Sequence, residues 1–178
     1  KAAIEYERKR VKKTKWRVEK TLFQSLLKGM RGRVLDVPVG TGRFLELYRL
    51  AGLDAVGVDC SNAMLDQARV AYPWAALEQG DAASLRFGNG EFNVVVCVRL
   101  LHLVATNEVA SIMKELFRIA SDHVVLTTYL AGESYVQGRS QVHRYYDVMW
   151  GQPGWRPPRR YLLVEEKGTP YYMLHYSR

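Results

Sequence analysis

Two glycines and three acids stand where strands of this chain are expected to end. Residues 33–44 read RVLDVPVGTGRF: an apolar strand closing on Asp36, a tight turn holding Gly40 and Gly42, then the start of a helix. Glycines in such a turn let the backbone pass beneath a ligand with no Cβ in the way. A triphosphate loop would need four residues between glycines and then Gly-Lys-Ser/Thr, and that pattern is absent. A dinucleotide turn would need G-x-G-x-x-G, but Leu45 holds the third place. Asp36 would also sit poorly beside a pyrophosphate. An acid there suits a ligand that brings an amine. Asp59 closes a second apolar run, DAVGVD, 23 residues beyond Asp36, and Asp81 follows a third, AALEQ.

The elements that must hold these residues alternate. Residues 5–28 are expected to form a basic amphipathic helix with Trp16, Leu22, Phe23, Leu26 and Leu27 inward and Gly29 as its stop. GRFLELYRLA, SNAMLDQARVAY and TNEVASIMKELFRIA carry helical patterns, with Ser61 and Thr106 as caps. FNVVVCV is a continuous apolar run, as for a strand covered on both faces, and HVVLTTYL gives a fifth strand. The tail RRYLLVEEKGTPYYMLHYSR reads as a hairpin around EKGT. Repeated βα units predict an α/β fold, a doubly wound and mostly parallel sheet. The hairpin makes one strand antiparallel and brings the strands to seven.

At 178 residues, with 48% apolar and 25% charged content, one domain with a full core is expected. It divides into a basic helical lid (1–32), a cofactor core (33–130), a substrate lid (131–158) and the hairpin (159–178). No apolar run reaches membrane-spanning length, and a cytoplasmic setting is expected. Two cysteines, Cys60 and Cys97, are too few for a disulfide framework or a four-thiolate metal site; no metal is expected. The net charge of +8 is uneven: residues 1–33 hold twelve Lys/Arg against three Glu. That segment is either a solvated helix face or a landing surface for an anionic partner.

LDVPVGTGR resembles motif I, (D/E)-x-G-x-G-x-G, of the class I S-adenosylmethionine-dependent methyltransferases, with Pro38 where the first glycine is usual. GVDCSNAML, QGDAASLRF and EFNVVVCVRLLHLV resemble the following motifs in order, closest to the ubiquinone- and menaquinone-biosynthesis group. The resemblance implies a Rossmann-like fold, S-adenosylmethionine as cofactor and S-adenosylhomocysteine as product. It implies that Asp36 meets the methionyl amine and that Pro38, Gly40 and Gly42 form the turn beneath it. Asp59 would accept from the ribose hydroxyls, and Cys60 and Met64 would flank the adenine. Asp81 would accept from the adenine amine, Ala82 would pack on the ring, and Val98 would lie beside the methyl donor. Tyr6 and Arg17 on the first helix would close over the methionyl end.

Methyl transfer from a sulfonium is an in-line displacement, so the protein mainly positions the acceptor and excludes water. A base matters only where the acceptor holds its proton. Residues past strands four and five are the candidates: His102 as base, Arg99 for an acidic acceptor, then Tyr129 and, more weakly, His143. Tyr135, Tyr145, Tyr146, Trp150 and Trp155 either line a pocket or cover the core. The favoured acceptor is a small molecule, anionic or aromatic. An RNA acceptor held by the basic segment is the second reading, and a non-catalytic binder of S-adenosylmethionine the third. Against RNA, CVRL stands where amino-methylating enzymes carry Asn/Asp-Pro-Pro-Tyr/Phe.

Overall fold

The computed structural model describes residues 14–132, 135–137, 140–144, 153–166 and 168–178. The order is α1 (Thr14–Leu27), β1 (Arg33–Asp36), α2 (Leu45–Leu50), β2 (Asp54–Asp59), α3 (Asn62–Ala71), β3 (Ala76–Gln79), β4 (Phe92–Cys97), a 3-10 turn (Leu101–Leu103), α4 (Thr106–Ile119), β5 (Ala120–Ala131), β6 (Tyr135–Gln137), β7 (Ser140–Arg144), β8 (Arg159–Glu166) and β9 (Thr169–Ser177). Strands β1 to β5 form a parallel sheet in the order β3-β2-β1-β4-β5. β9 runs antiparallel on β5, and β8 closes the hairpin expected from the tail.

These seven strands are the expected ones, but among the described residues the sheet has nine. β5 is twelve residues long and outruns β4, which pairs with it only as far as Leu126. The edge freed beyond β4 pairs with β7 in parallel from Tyr129 to Ala131, while Tyr129 still faces Tyr171 of β9 on the other edge, and β6 folds back on β7. Two short strands thus come from the stretch 131–158, and a second strand runs against the parallel set. Tyr145, Tyr146 and Trp150 lie outside the described residues, as do Tyr6 and the first part of the expected helix. Trp155 is a core residue: it is buried with its ring centroid 5.1 Å from that of Phe117.

The core has two layers, one on each face of the sheet. α1, α2 and α3 cover one face, where Phe23, Phe44, Tyr48, Leu65 and Val96 pack together. α4 covers the other with Val109, Ile112, Met113, Leu116 and Phe117, the positions its periodicity indicates. Ala105, not Thr106, stands at the start of α4, and its N–H donates to the Glu108 carboxylate at 3.0 Å. Beneath the sheet, Asn93 joins three strands: it accepts from the Arg33 N–H and donates to Asp122. Among the described residues no helix is long and apolar enough to cross a membrane.

Trp16, Phe23 and Leu27 of α1 are buried, and Leu22 and Leu26 partly so. The Phe23 ring lies 4.5 Å from Phe44 and 5.8 Å from Tyr48. This aromatic contact docks the N-terminal helix onto α2. Phe23→Ala is therefore expected to cost about 3–5 kcal/mol, read as a lower urea midpoint at unchanged slope.

Candidate active site

β1, β2 and β4 end side by side, and the chain beyond them builds the site. Past Asp36 the backbone stays tied to both neighbours: the Val37 N–H donates to Val96 O and the Val39 N–H to Val58 O. The turn follows, with a cis Val37–Pro38 peptide and positive φ at Gly40 (57°) and Gly42 (80°). Asp59 holds it. Its Oδ2 accepts from the Gly40 N–H at 2.8 Å, and its Oδ1 accepts from the Ser61 N–H at 2.9 Å. One buried carboxylate therefore fixes both the glycine turn and the entry to α3.

Two adjoining chambers open here, sharing Pro38, Asp59, Cys60 and Leu100. The first, about 380 Å³, adds Asp81, Ala82 and, from the start of α4, Asn107, Glu108 and Ser111. The second, about 260 Å³, adds Gly40, Arg43, Met64, Val98 and Arg99. Asp81 Oδ1 accepts from the Ala83 N–H at 2.9 Å, which sets the turn after β3. The structure thus brings Pro38, Gly40, Asp59, Cys60, Met64, Asp81, Ala82, Val98 and Arg99 into the walls of these two adjoining chambers. The two cysteines are unbonded, Cys60 exposed and Cys97 buried.

The two glycines differ. A Cβ on Gly40 would meet no atom within 4 Å, whereas one on Gly42 would come within 2.7 Å of Leu45 and Tyr72 side-chain atoms. Gly40 leaves open space over the turn; Gly42 allows the turn to pack on the protein. Asp36 is 1% exposed and lines neither chamber.

The other candidates are placed apart from the chambers. His102 stands edge-on to the rings of Tyr129 and Tyr171, at 5.8 Å from each. The Tyr129 hydroxyl donates to Glu166, and burial pushes its phenol well above the usual range. Neither residue lines the two chambers. His143 is buried on β7 and its Nε2 meets Leu101 O at 2.5 Å, pinning the 3-10 turn behind Leu100 and Leu103. Arg17 is exposed on α1. Sequence reasoning missed Glu19, Arg43, Asn107, Glu108 and Ser111. Glu19 left one trace, an acid within the apolar stripe of α1.

A methyltransferase domain family model matches residues 34–123, just over half of the chain, from β1 into β5. The chain belongs to the methyltransferase domain family. It is 38% identical over 87 residues to a demethylmenaquinone methyltransferase of Renibacterium salmoninarum, covering 49% of this chain and 36% of that protein. It is 33% identical over 128 residues to a malonyl-[acyl-carrier protein] O-methyltransferase of Legionella pneumophila, covering 67% of this chain and 43% of that protein. The matches span about half or less of these curated relatives. The fold is shared with a magnesium protoporphyrin IX methyltransferase of Synechocystis solved with bound SAM, at a TM-score of 0.71, 19% identity, and coverage of 92% of this chain and 79% of that one.

In this methyltransferase domain the burial of Asp36 has a measurable consequence. Loss of water raises its pKa to about 7, against the pull of the nearby Tyr48 hydroxyl and the Arg43 charge, while Asp59 adds to the rise. A folded-state pKa above the unfolded value means that the folded state holds the proton more tightly. The associated stability is full below about pH 3.8 and is lost as pH rises toward 7, by at most roughly 1.4 kcal/mol per pH unit. Asp36→Asn is expected to be more stable than the parent at pH 7.5, with the gain shrinking toward pH 4. Denaturant melts across that range give the comparison.

Proposed function

We propose that this domain binds S-adenosylmethionine across the two chambers and passes its methyl group, by in-line displacement, to a small-molecule acceptor. The observation that carries this reading is Asp59, a buried acid in the wall shared by both chambers, beside a glycine turn open above Gly40. Each Asp59 oxygen already accepts one backbone N–H and keeps a lone pair, so two vicinal hydroxyls can be received on a rigid carboxylate. Cys60, Met64 and Ala82 supply walls suited to a flat ring, and Asp81 an acceptor at its edge. Pro38, Gly40 and Val98 border the donor end. The site's chemistry fits a ligand with a ribose, a flat base and no phosphate.

The bound cofactor would supply a methyl group already activated on a sulfonium. The chain's own part is then to align the acceptor and keep water out. That requires no base, in keeping with His102 and Tyr129 standing off the chambers. Arg99, in the wall of the second chamber, favours an acceptor with an acidic group. The demethylmenaquinone and malonyl names of two relatives support a small or carrier-borne acceptor. The stretch 131–158 remains our candidate for the acceptor's cover.

Calorimetry on the purified chain should show binding of S-adenosylmethionine and S-adenosylhomocysteine and none of NAD. Asp59→Ala should weaken S-adenosylhomocysteine by about 1–3 kcal/mol, since it leaves polar groups unpaired. NAD binding, or unchanged affinity in that variant, would remove the reading. A labelled-methyl screen over cell metabolites and RNA then identifies the acceptor class.

The two glycines give a separate check. Gly40→Val should abolish binding in a chain that retains its circular dichroism spectrum, because its side chain would enter the open space. Gly42→Val should instead lower the thermal midpoint, because its side chain would meet Leu45 and Tyr72.

A further inference from the structure

Glu19 presents a physical problem. Its carboxylate is fully buried, yet it stands on a helix whose docking is already served by Trp16, Phe23 and Leu27. An apolar residue at this place would continue the stripe at less cost, because a buried ion pair rarely repays its desolvation. The partners of Glu19 are what distinguish it. Its Oε2 accepts from Arg43 Nη2 at 2.6 Å and from Arg99 Nη2 at 3.0 Å and Nε at 3.3 Å. Both arginines line the second chamber.

Each is held at a sensitive place. Arg43 directly follows Gly42 in the turn, and its guanidinium stacks on Trp16 at 4.4 Å and on Phe44 at 4.7 Å. Arg99 takes φ of 66° at the end of β4, a left-handed conformation uncommon outside glycine, and its N–H donates to Thr127 Oγ1 at 3.0 Å. Thr127 in turn meets the Tyr171 hydroxyl at 2.7 Å. Two like charges set 56 residues apart in the chain are thus brought together in a buried wall by one carboxylate from a third segment.

We propose that Glu19 is a positioning residue of the methyl-transfer site. It acts through Arg43 and Arg99, coupling the seating of the N-terminal helix to the shape of the chamber at the donor end. This inference rests on the cofactor reading above and assigns that helix a part in it. Glu19 itself lines neither chamber. Its negative charge lets the two guanidinium groups lie together, and without it they must separate or draw in water.

The test uses the full chain with S-adenosylhomocysteine as the calorimetric probe. The parent must bind; if it does not, the cofactor reading falls and this proposal with it. Given a binding parent, Glu19→Gln, which keeps shape but loses charge, and Glu19→Ala are each expected to raise Kd about tenfold or more, since misplaced positioning groups cost up to about 10²-fold. Lys20→Ala, exposed on the same helix, should leave Kd unchanged. Formate should restore affinity to Glu19→Ala with rising concentration, and chloride at equal ionic strength should not. A merely structural Glu19 would lower the thermal midpoint of both variants without changing Kd, and formate would not alter binding. That result overturns the proposal even with the cofactor reading intact. Should Glu19→Ala not fold, an unchanged Kd in folded Glu19→Gln overturns it equally.

Discussion

The site depends on one carboxylate receiving two backbone N–H groups. Asp59 closes β2 and reaches sideways to Gly40 and forward to Ser61. The loop after β1 and the loop after β2 are thereby tied to the same rigid group. Neither loop has a long element of its own to shape it. Both chambers border on Asp59, so their relative placement follows from that single contact. The burial of the acid strengthens the bonds and makes any alternative arrangement costly.

The N-terminal helix depends on a different balance. Its aromatic face supplies apolar burial, and its single buried acid must be compensated by charge from two other segments. Arg43 serves both ends of this balance, stacked on the aromatic rings through its flat face and bonded to Glu19 through its edge. That geometry is available to a guanidinium and not to an ammonium. The same cation lies close enough to Asp36 to oppose the rise in that acid's pKa. Two buried acids, Glu19 and Asp36, thus share one cation and form a connected electrostatic unit beside the site.

The far end of the sheet shows how length alone extends a fold. β5 outruns its parallel neighbour β4, and the hydrogen-bonding edge left bare beyond Leu126 takes up β7. The added strand carries His143, which holds the 3-10 turn bordering the second chamber. An overhang in one strand therefore reaches the wall of the site through a single side chain.

The sequence by itself determined the alternation of strands and helices, the central glycine turn, and the acids closing β1 and β2 with another acid just beyond β3. These features follow from local patterns, because apolar periodicity and turn chemistry act over a few residues and parallel strands must present their ends together. It also excluded triphosphate and dinucleotide turns through what stands after Gly42. Tertiary structure alone decided that Asp36 is buried and lines neither chamber, that Gly42 serves packing while Gly40 leaves open space, and that Trp155 belongs to the core. It alone joined Glu19 to Arg99, 80 residues away, and added β7 to β5 and β6 to β7. The physical reason is common to all of these. Burial, charge pairing and edge pairing depend on which distant segments meet, and no local pattern records that meeting.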